Sequence, residues 1–251
     1  MASIRPILIV AGVGNGTGTG AATAREFAKA GYRVALVARN ADHLKRTAED
    51  IKSTGGEAAP FPISAYDYPS LTGVFSSIKK HWPDSTPRVA VWNAGLTTLK
   101  PFLELTEKEV RETIDTNVVA AFAFAREAIL TFKDLDINEK GKRGSLIFTS
   151  ATAATRGNKT TSAFAAGKFG LRALSQSLNK EFGPQNIHVS TAIIDGPILT
   201  EKTREYLGAR ADKEDARLDP ESIAKAYMYL VNQDRSAWTW ELDLRPAHET
   251  W

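Results

Sequence analysis

Short apolar runs rich in Val and Ile alternate along the chain with segments of helical period. The runs Ile7–Ala11, Val34–Ala38, Ala58–Ile63, Val89–Asn93, Ser145–Ser150, Ile187–Ile194 and Trp238–Leu244 read as strands. Between them the spacing predicts helices over Ala21–Ala30, Asp42–Ser53 and Ser70–Lys80. Gly31 and the Gly55-Gly56 pair supply the stops of the first two. Thr106-Glu107-Lys108-Glu109 is a capping box that opens a long helix to about Phe132. Ser162–Phe182 is a second long helix, stopped by Gly183-Pro184. Asp219-Pro220 starts the last one, with a cap residue followed by Pro at the first helical position. Repeated βα units with near-continuous apolar strands predict a single-domain α/β fold over residues 1–251. Its seven-stranded, mostly parallel sheet carries helices on both faces.

The chain has 251 residues, a formal charge of +3 and 43% apolar residues, as expected of a globular domain rather than a disordered chain. No basic cluster is dense enough to suggest nucleic acid. The absence of cysteine removes disulfides, thiolate metal sites and a Cys nucleophile. His43, His81, His188 and His248 show no metal-ligand spacing, and His188 reads as a structural residue of the sixth strand. No apolar run reaches membrane-span length, and a cytoplasmic protein without membrane or nucleic-acid partners is expected.

The first strand runs into Gly12-Val13-Gly14-Asn15-Gly16-Thr17-Gly18-Thr19-Gly20 and then into a helix. Glycines are needed where backbone turns tightly and approaches an anion, and the helix N-terminus offers free N–H groups to a pyrophosphate. A strand before and a helix after make this a dinucleotide site. The second strand ends at Ala38, 20 residues past Gly18, where an NAD site usually carries an acid for the ribose 2′-hydroxyl. Here Ala38-Arg39 offers a guanidinium instead, which favours the 2′-phosphate of NADP(H).

The spacing Gly12-x-x-x-Gly16-x-Gly18 resembles the short-chain dehydrogenase/reductase family. Asn93-Ala94-Gly95 is similar to that family's Asn-Asn-Ala-Gly turn, with Trp92 in place of the first Asn. Asn117 falls at its active-site Asn and Lys168 at the Lys of its Tyr-x-x-x-Lys motif. Asp195-Gly196-Pro197-Ile198-Leu199-Thr200 resembles its Pro-Gly-x-x-x-Thr segment, which in the family holds the nicotinamide carboxamide. The resemblance runs along essentially the whole chain. It implies cofactor contacts from Gly12, Asn15, Gly16, Thr17, Gly18 and Arg39. Further contacts are implied from Ser64, Asn93, Ala94, Gly95, Asn117, Lys168, Ile198 and Thr200. It also implies a mobile substrate lid over 199–218 and a homodimer or homotetramer pairing the two long helices, notably through Val118–Ala125.

Four positions depart from the family pattern. Phe164 stands where the family has its catalytic Tyr, and Ala151 where it has Ser, with Ser150 one residue earlier. Asp195 replaces the Pro of the carboxamide segment, and Ser64 replaces the Asp that usually contacts adenine. Phe164 and Lys168 are four apart on a helix and share a face, so Phe164 should occupy the Tyr's place with no proton to give. General acid catalysis contributes roughly 10²–10⁴ in rate, so ordinary ketone reduction should be crippled. Three readings follow. Hydride goes to a pre-activated substrate, an iminium ion or a conjugated C=C. Or the acid has moved to Asp195, with Ser150 and Lys168 as weaker candidates. Or the chain binds NADP(H) without redox turnover, as a scaffold, a sensor or a reused fold for cyclisation or isomerisation. Phe164, Trp92, Phe102 and Ile198 hint at an apolar or aromatic substrate. Arg204, Tyr206 and Leu207 are candidates to face it from the charged 199–218 segment.

Overall fold

The computed structural model describes residues 5–248, without the side chain of Arg210; residues 1–4 and 249–251 of the expected domain lie outside them. Seven strands form one sheet: β1 (Ile7–Ala11), β2 (Arg33–Ala38), β3 (Glu57–Pro62), β4 (Pro87–Trp92), β5 (Gly144–Thr149), β6 (Ile187–Ile194) and β7 (Glu241–Leu244). Their order is β3-β2-β1-β4-β5-β6-β7, and every neighbouring pair is parallel. The order reverses between β1 and β4, which opens a crevice at their C-terminal ends.

Strand periodicity sorts the core into two layers. Ile7, Ile9 and Ala11 face α3 (Tyr68–His81) and α5 (Ala120–Lys133), joined by α6 (Ser162–Phe182). Leu8 and Val10 face α1 (Thr19–Lys29), α2 (Ala41–Ser53) and α8 (Pro220–Asn232). Caps fix several starts: Asn40 accepts from His43 N, Asp67 from Ser70 N and Asp219 from Ser222 N. The α6 and β6 boundaries fall where the sequence pattern puts them. The last strand is shorter than the apolar run, because Trp238 and Trp240 lie before it. Trp238 stacks on the buried ring of His188 at 4.8 Å.

The long helix opened by the capping box is not one α-helix. It runs as α4 (Glu107–Ile114), a π-helical turn Asp115–Val119, and α5. The capping box itself is formed in full by Thr106 and Glu109. Within Val118–Ala125, Ala120, Ala121, Ala123, Phe124 and Ala125 are buried in the chain's own core, while Val119 and Phe122 stay exposed. Trp92 is also core, edge-on to Tyr66 and packed on Phe124. Among the described residues, no helix is long and apolar enough to cross a membrane.

Gly144 opens β5 directly beneath Phe132 of α5. A Cβ there would sit 2.4 Å from the Phe132 ring. Gly144→Ala should therefore destabilise the fold by about 1–3 kcal/mol in urea unfolding, and Phe132→Leu in the same chain should return part of that loss. An unchanged midpoint for Gly144→Ala would show that the helix is free to back away.

Candidate active site

The C-terminal ends of β1, β4, β5 and β6 surround a cleft of about 1020 Å³. Its floor at β1 is set by close backbone approach. Gly12 has φ +93°, and a Cβ on it would lie 2.4 Å from the backbone N of Ala94. A Cβ on Gly20 would lie 2.3 Å from Gly12 O. Asn93 locks the joint by donating Nδ2 to Gly12 O at 2.7 Å. No side chain caps the N-terminus of α1, whose N-cap is Gly18, so its first N–H groups face the cleft. This glycine cradle and bare helix start fit a dinucleotide pyrophosphate. Asn15 Oδ1 accepts from the Thr17 hydroxyl at 2.8 Å, and Arg25 ties the turn to α1 through Gly16 O.

Lys168 reaches in from α6. Its ammonium is buried and donates to Thr149 O at 3.1 Å. It lies 5.9 Å from the centroid of the Phe164 ring, so the two share the face that their spacing demands. Burial lowers the Lys168 pKa to about 8. Phe164 lines the cleft and carries no polar atom, and Ala151 beside it carries none either.

Of the expected cofactor residues, Gly12, Asn15, Thr17, Gly18, Asn93, Gly95, Lys168, Ile198 and Thr200 line the cleft. Gly16 and Ala94 lie in the same turns without lining it. Asn117 is fully buried in the π-helical turn and clasps the backbone of Leu96, accepting from its N at 3.2 Å and donating to its O at 2.8 Å. It sits behind Gly95, whose Cβ position is 3.1 Å from Asn117 Oδ1 and 3.4 Å from Lys168 Nζ. Arg39 is exposed at the end of β2, with its guanidinium 5.5 Å from the Tyr66 ring centroid. Ser64 faces a separate hollow, 3.3 Å from the Ser70 hydroxyl.

The candidate acids have distinct surroundings. Ser150 follows the last residue of β5, with its hydroxyl buried and unpartnered. Asp195 is buried and does not line the cleft. It accepts from the Thr152 hydroxyl at 2.5 Å and pairs with Arg156 at 3.5 Å and Arg245 at 3.1 Å. Thr152 and Arg156 do line the cleft, and the sequence reading did not single them out. Their signal was weak: a Thr and an Arg in a loop just past Ala151 match no motif. Phe102 is exposed away from the cleft on a short 3₁₀ turn, as is Tyr206 on α7 (Glu201–Leu207). Arg204 pairs with Asp212, and neither Arg204 nor Leu207 lines the cleft, whereas Lys202 and Thr203 do. Among the described residues no cluster of His, Asp or Glu is arranged to hold a metal.

The short chain dehydrogenase family profile matches residues 7–210. The 3-dehydrosphinganine reductase of Arabidopsis thaliana is 29% identical over 225 residues, 86% of this chain; the chain spans 65% of that protein's length. A short-chain dehydrogenase structure from Rhodopseudomonas palustris is 30% identical with a TM-score of 0.78, covering 96% of this chain and 98% of that one. An alcohol dehydrogenase from Thermococcus sibiricus, solved with 5-hydroxy-NADP, is 22% identical. It shares the fold at a TM-score of 0.82, over 98% of this chain and 99% of that one.

Lys168 gives the site a measurable pH signature. Below about pH 8 its charge is present in folded and unfolded chains alike, and the folded chain bears the burial cost. Between about 8 and the ordinary 10.5 the unfolded chain binds the extra proton, so stability rises with pH. Lys168→Met should therefore stabilise the cofactor-free protein by about 1–3 kcal/mol at pH 7, and that gain should shrink as pH passes from 8 to 10.5. A gain that is flat with pH, or a loss at pH 7, would mean the ammonium is better solvated than its burial indicates.

Proposed function

The chain belongs to the short chain dehydrogenase family, and from that premise we propose that it is an NADP(H)-dependent reductase of a polarised C=C bond. The observation that carries this reading is the loss of the family's Tyr and Ser donors at 164 and 151, while the glycine cradle and Lys168 are kept. Phe164 and Ala151 have no donor. The Thr152 hydroxyl gives its hydrogen to Asp195 and so presents only lone pairs to a substrate. The Asp195 carboxylate is engaged by Thr152 and two guanidiniums, which suits it to positioning them rather than to supplying a proton.

A bound nicotinamide supplies the hydride. The chain's own part is to hold and shield the reactants: Phe164 gives the substrate an apolar wall, Lys168 offers its ammonium to a ribose, and Ile198 and Thr200 close the carboxamide side. Hydride at the β-carbon of a conjugated C=C leaves the charge on the substrate's electron-withdrawing group. One solvent proton then completes the adjacent carbon, so no protein acid is required. A C=C acceptor is favoured over an iminium ion, because Arg156, Lys168 and Lys202 line the cleft while no Asp or Glu does. A covering role for the segment 199–218 is supported by its tie to the cleft, where Glu201 accepts from Asn15 Nδ2 at 2.8 Å. The exposed Val119, Phe122 and Phe169 on the α4–α6 side suit a self-complementary pairing of two chains.

NADPH oxidation against a panel of ketones, conjugated C=C compounds and cyclic imines tests the reading. Activity confined to the C=C class supports it. Consumption by none of them would return the chain to a binding role without turnover. Phe164→Tyr alone should do little for ketones, whereas Ala151→Ser with Phe164→Tyr should recover measurable ketone reduction, since the pair acts as a unit.

The cofactor preference rests on Arg39. Arg39→Ala should weaken NADPH by about tenfold to a hundredfold while leaving NADH nearly unchanged, as measured by fluorescence titration. Equal affinities of the unmodified protein for the two cofactors would overturn the preference for NADP(H).

A further inference from the structure

The cleft lining carries three cationic side chains and, among the described residues, no carboxylate. Two of the three have places near the cofactor's path. Lys168 lies behind Phe164, and Lys202 follows Glu201, which bonds the glycine turn at Asn15. Arg156 is the third and stands apart from both. It follows the 3₁₀ turn Thr152–Ala154, just past Ala151, and lines the cleft there.

From this arrangement we propose that the substrate carries an oxyanion, a carboxylate or a phosphate, and that Arg156 receives it. This rests on the proposed function for where the substrate lies, and it adds the substrate's chemical class. Three observations carry it. The Arg156 side chain is 47% exposed at the cleft wall. Its Nη2 stands 3.5 Å from the buried Asp195, close enough to orient the guanidinium and too long for a strong bond. A guanidinium has five N–H donors in a fixed fork, so one edge can stay with Asp195 while another takes an oxyanion.

The groups around Arg156 support the same assignment. Asp195 is itself held by Arg245 at 3.1 Å and by the Thr152 hydroxyl, so its negative charge is shared rather than spent on Arg156. Asn158 and Thr161 line the wall beside Arg156 and add neutral polar groups. Phe164 and Leu99 add apolar surface. An anion at one end of an apolar body matches that lining. A cationic substrate would meet uncompensated like charge. Asp195 is then a positioning residue for Arg156.

Calorimetric titration separates the possibilities. Cinnamate, phenyl phosphate and the neutral cinnamamide are titrated into the protein with and without saturating NADP⁺. At least one of the two anions should bind about tenfold or more tightly than the amide. Arg156→Gln should erase that preference while leaving NADP⁺ affinity and the melting temperature unchanged, and Arg156→Lys should keep part of it. Which anion binds better distinguishes a carboxylate from a phosphate substrate. Equal affinities for anions and amide, including no binding of any, would overturn the assignment, as would a preference that survives Arg156→Gln. Turnover is read separately, as NADPH oxidation with 4-oxo-4-phenyl-2-butenoate and with its amide. Turnover without anion preference sinks the Arg156 assignment alone. Anion preference without turnover sinks the reductase reading alone.

Discussion

One buried ammonium organises the site. Lys168 Nζ is taken out of water with a single backbone carbonyl as its hydrogen-bond partner, and no carboxylate pairs with it among the described residues. Burying a charge this way is expensive, and the folded chain holds it at a lowered pKa instead of neutralising it with an acid. The surroundings follow from that constraint. A Cβ on Gly95 would press on Asn117 at 3.1 Å and reach Lys168 Nζ at 3.4 Å, and Asn117 clasps Leu96 on the same turn. The aromatic ring at 164 meets the cation with its π-face, which is compatible with an ammonium and useless as a proton source.

The electrostatic design around Asp195 is complementary. A carboxylate inserted beside the cleft would ordinarily look like a replacement acid. Here its neighbours come from two separate stretches of chain, Thr152 and Arg156 in one and Arg245 in the other, and the group works as a junction between them. It joins the end of β6 to the loop after β5 and to the residue just past β7. The cleft thereby acquires an anchored cation at its wall without acquiring a free negative charge.

Much of the fold was legible because its signals are local. Apolar runs placed the strands, and Thr106 and Asp219 announced their helices through side chains that bond a backbone N–H three residues on. The glycine turn was legible for the same reason, since only glycine tolerates the approach of β1 to β4 at Gly12. What the sequence could not display was partnership across distance. Arg245 lies far along the chain from Asp195, and Arg156 sits in a loop with no motif, so neither advertised a shared role. Aromatic residues were ambiguous from the start: Trp92 and Phe164 look alike in a string, yet one fills the core and the other faces the cleft. The π-helical turn was hidden too, because one extra residue in a long apolar helix barely disturbs its pattern.

That turn separates two things a regular helix would bind together. A π turn adds one residue to a winding of 3.6 per turn, a step worth about 100° of rotation. Residues before and after it therefore keep the faces they would have on an uninterrupted rod one residue shorter. The extra residue is confined to Asp115–Val119. The seating of α5 on the sheet, through Ala121, Phe124 and Ala128, does not depend on how that loop of helix is wound. The aim of Asn117 does. A change of length by one residue at this place would be absorbed as a change of winding, and it would redirect Asn117 while leaving the core in register. The helix thus seats its core residues and aims Asn117 from separate segments, so a change in one need not move the other.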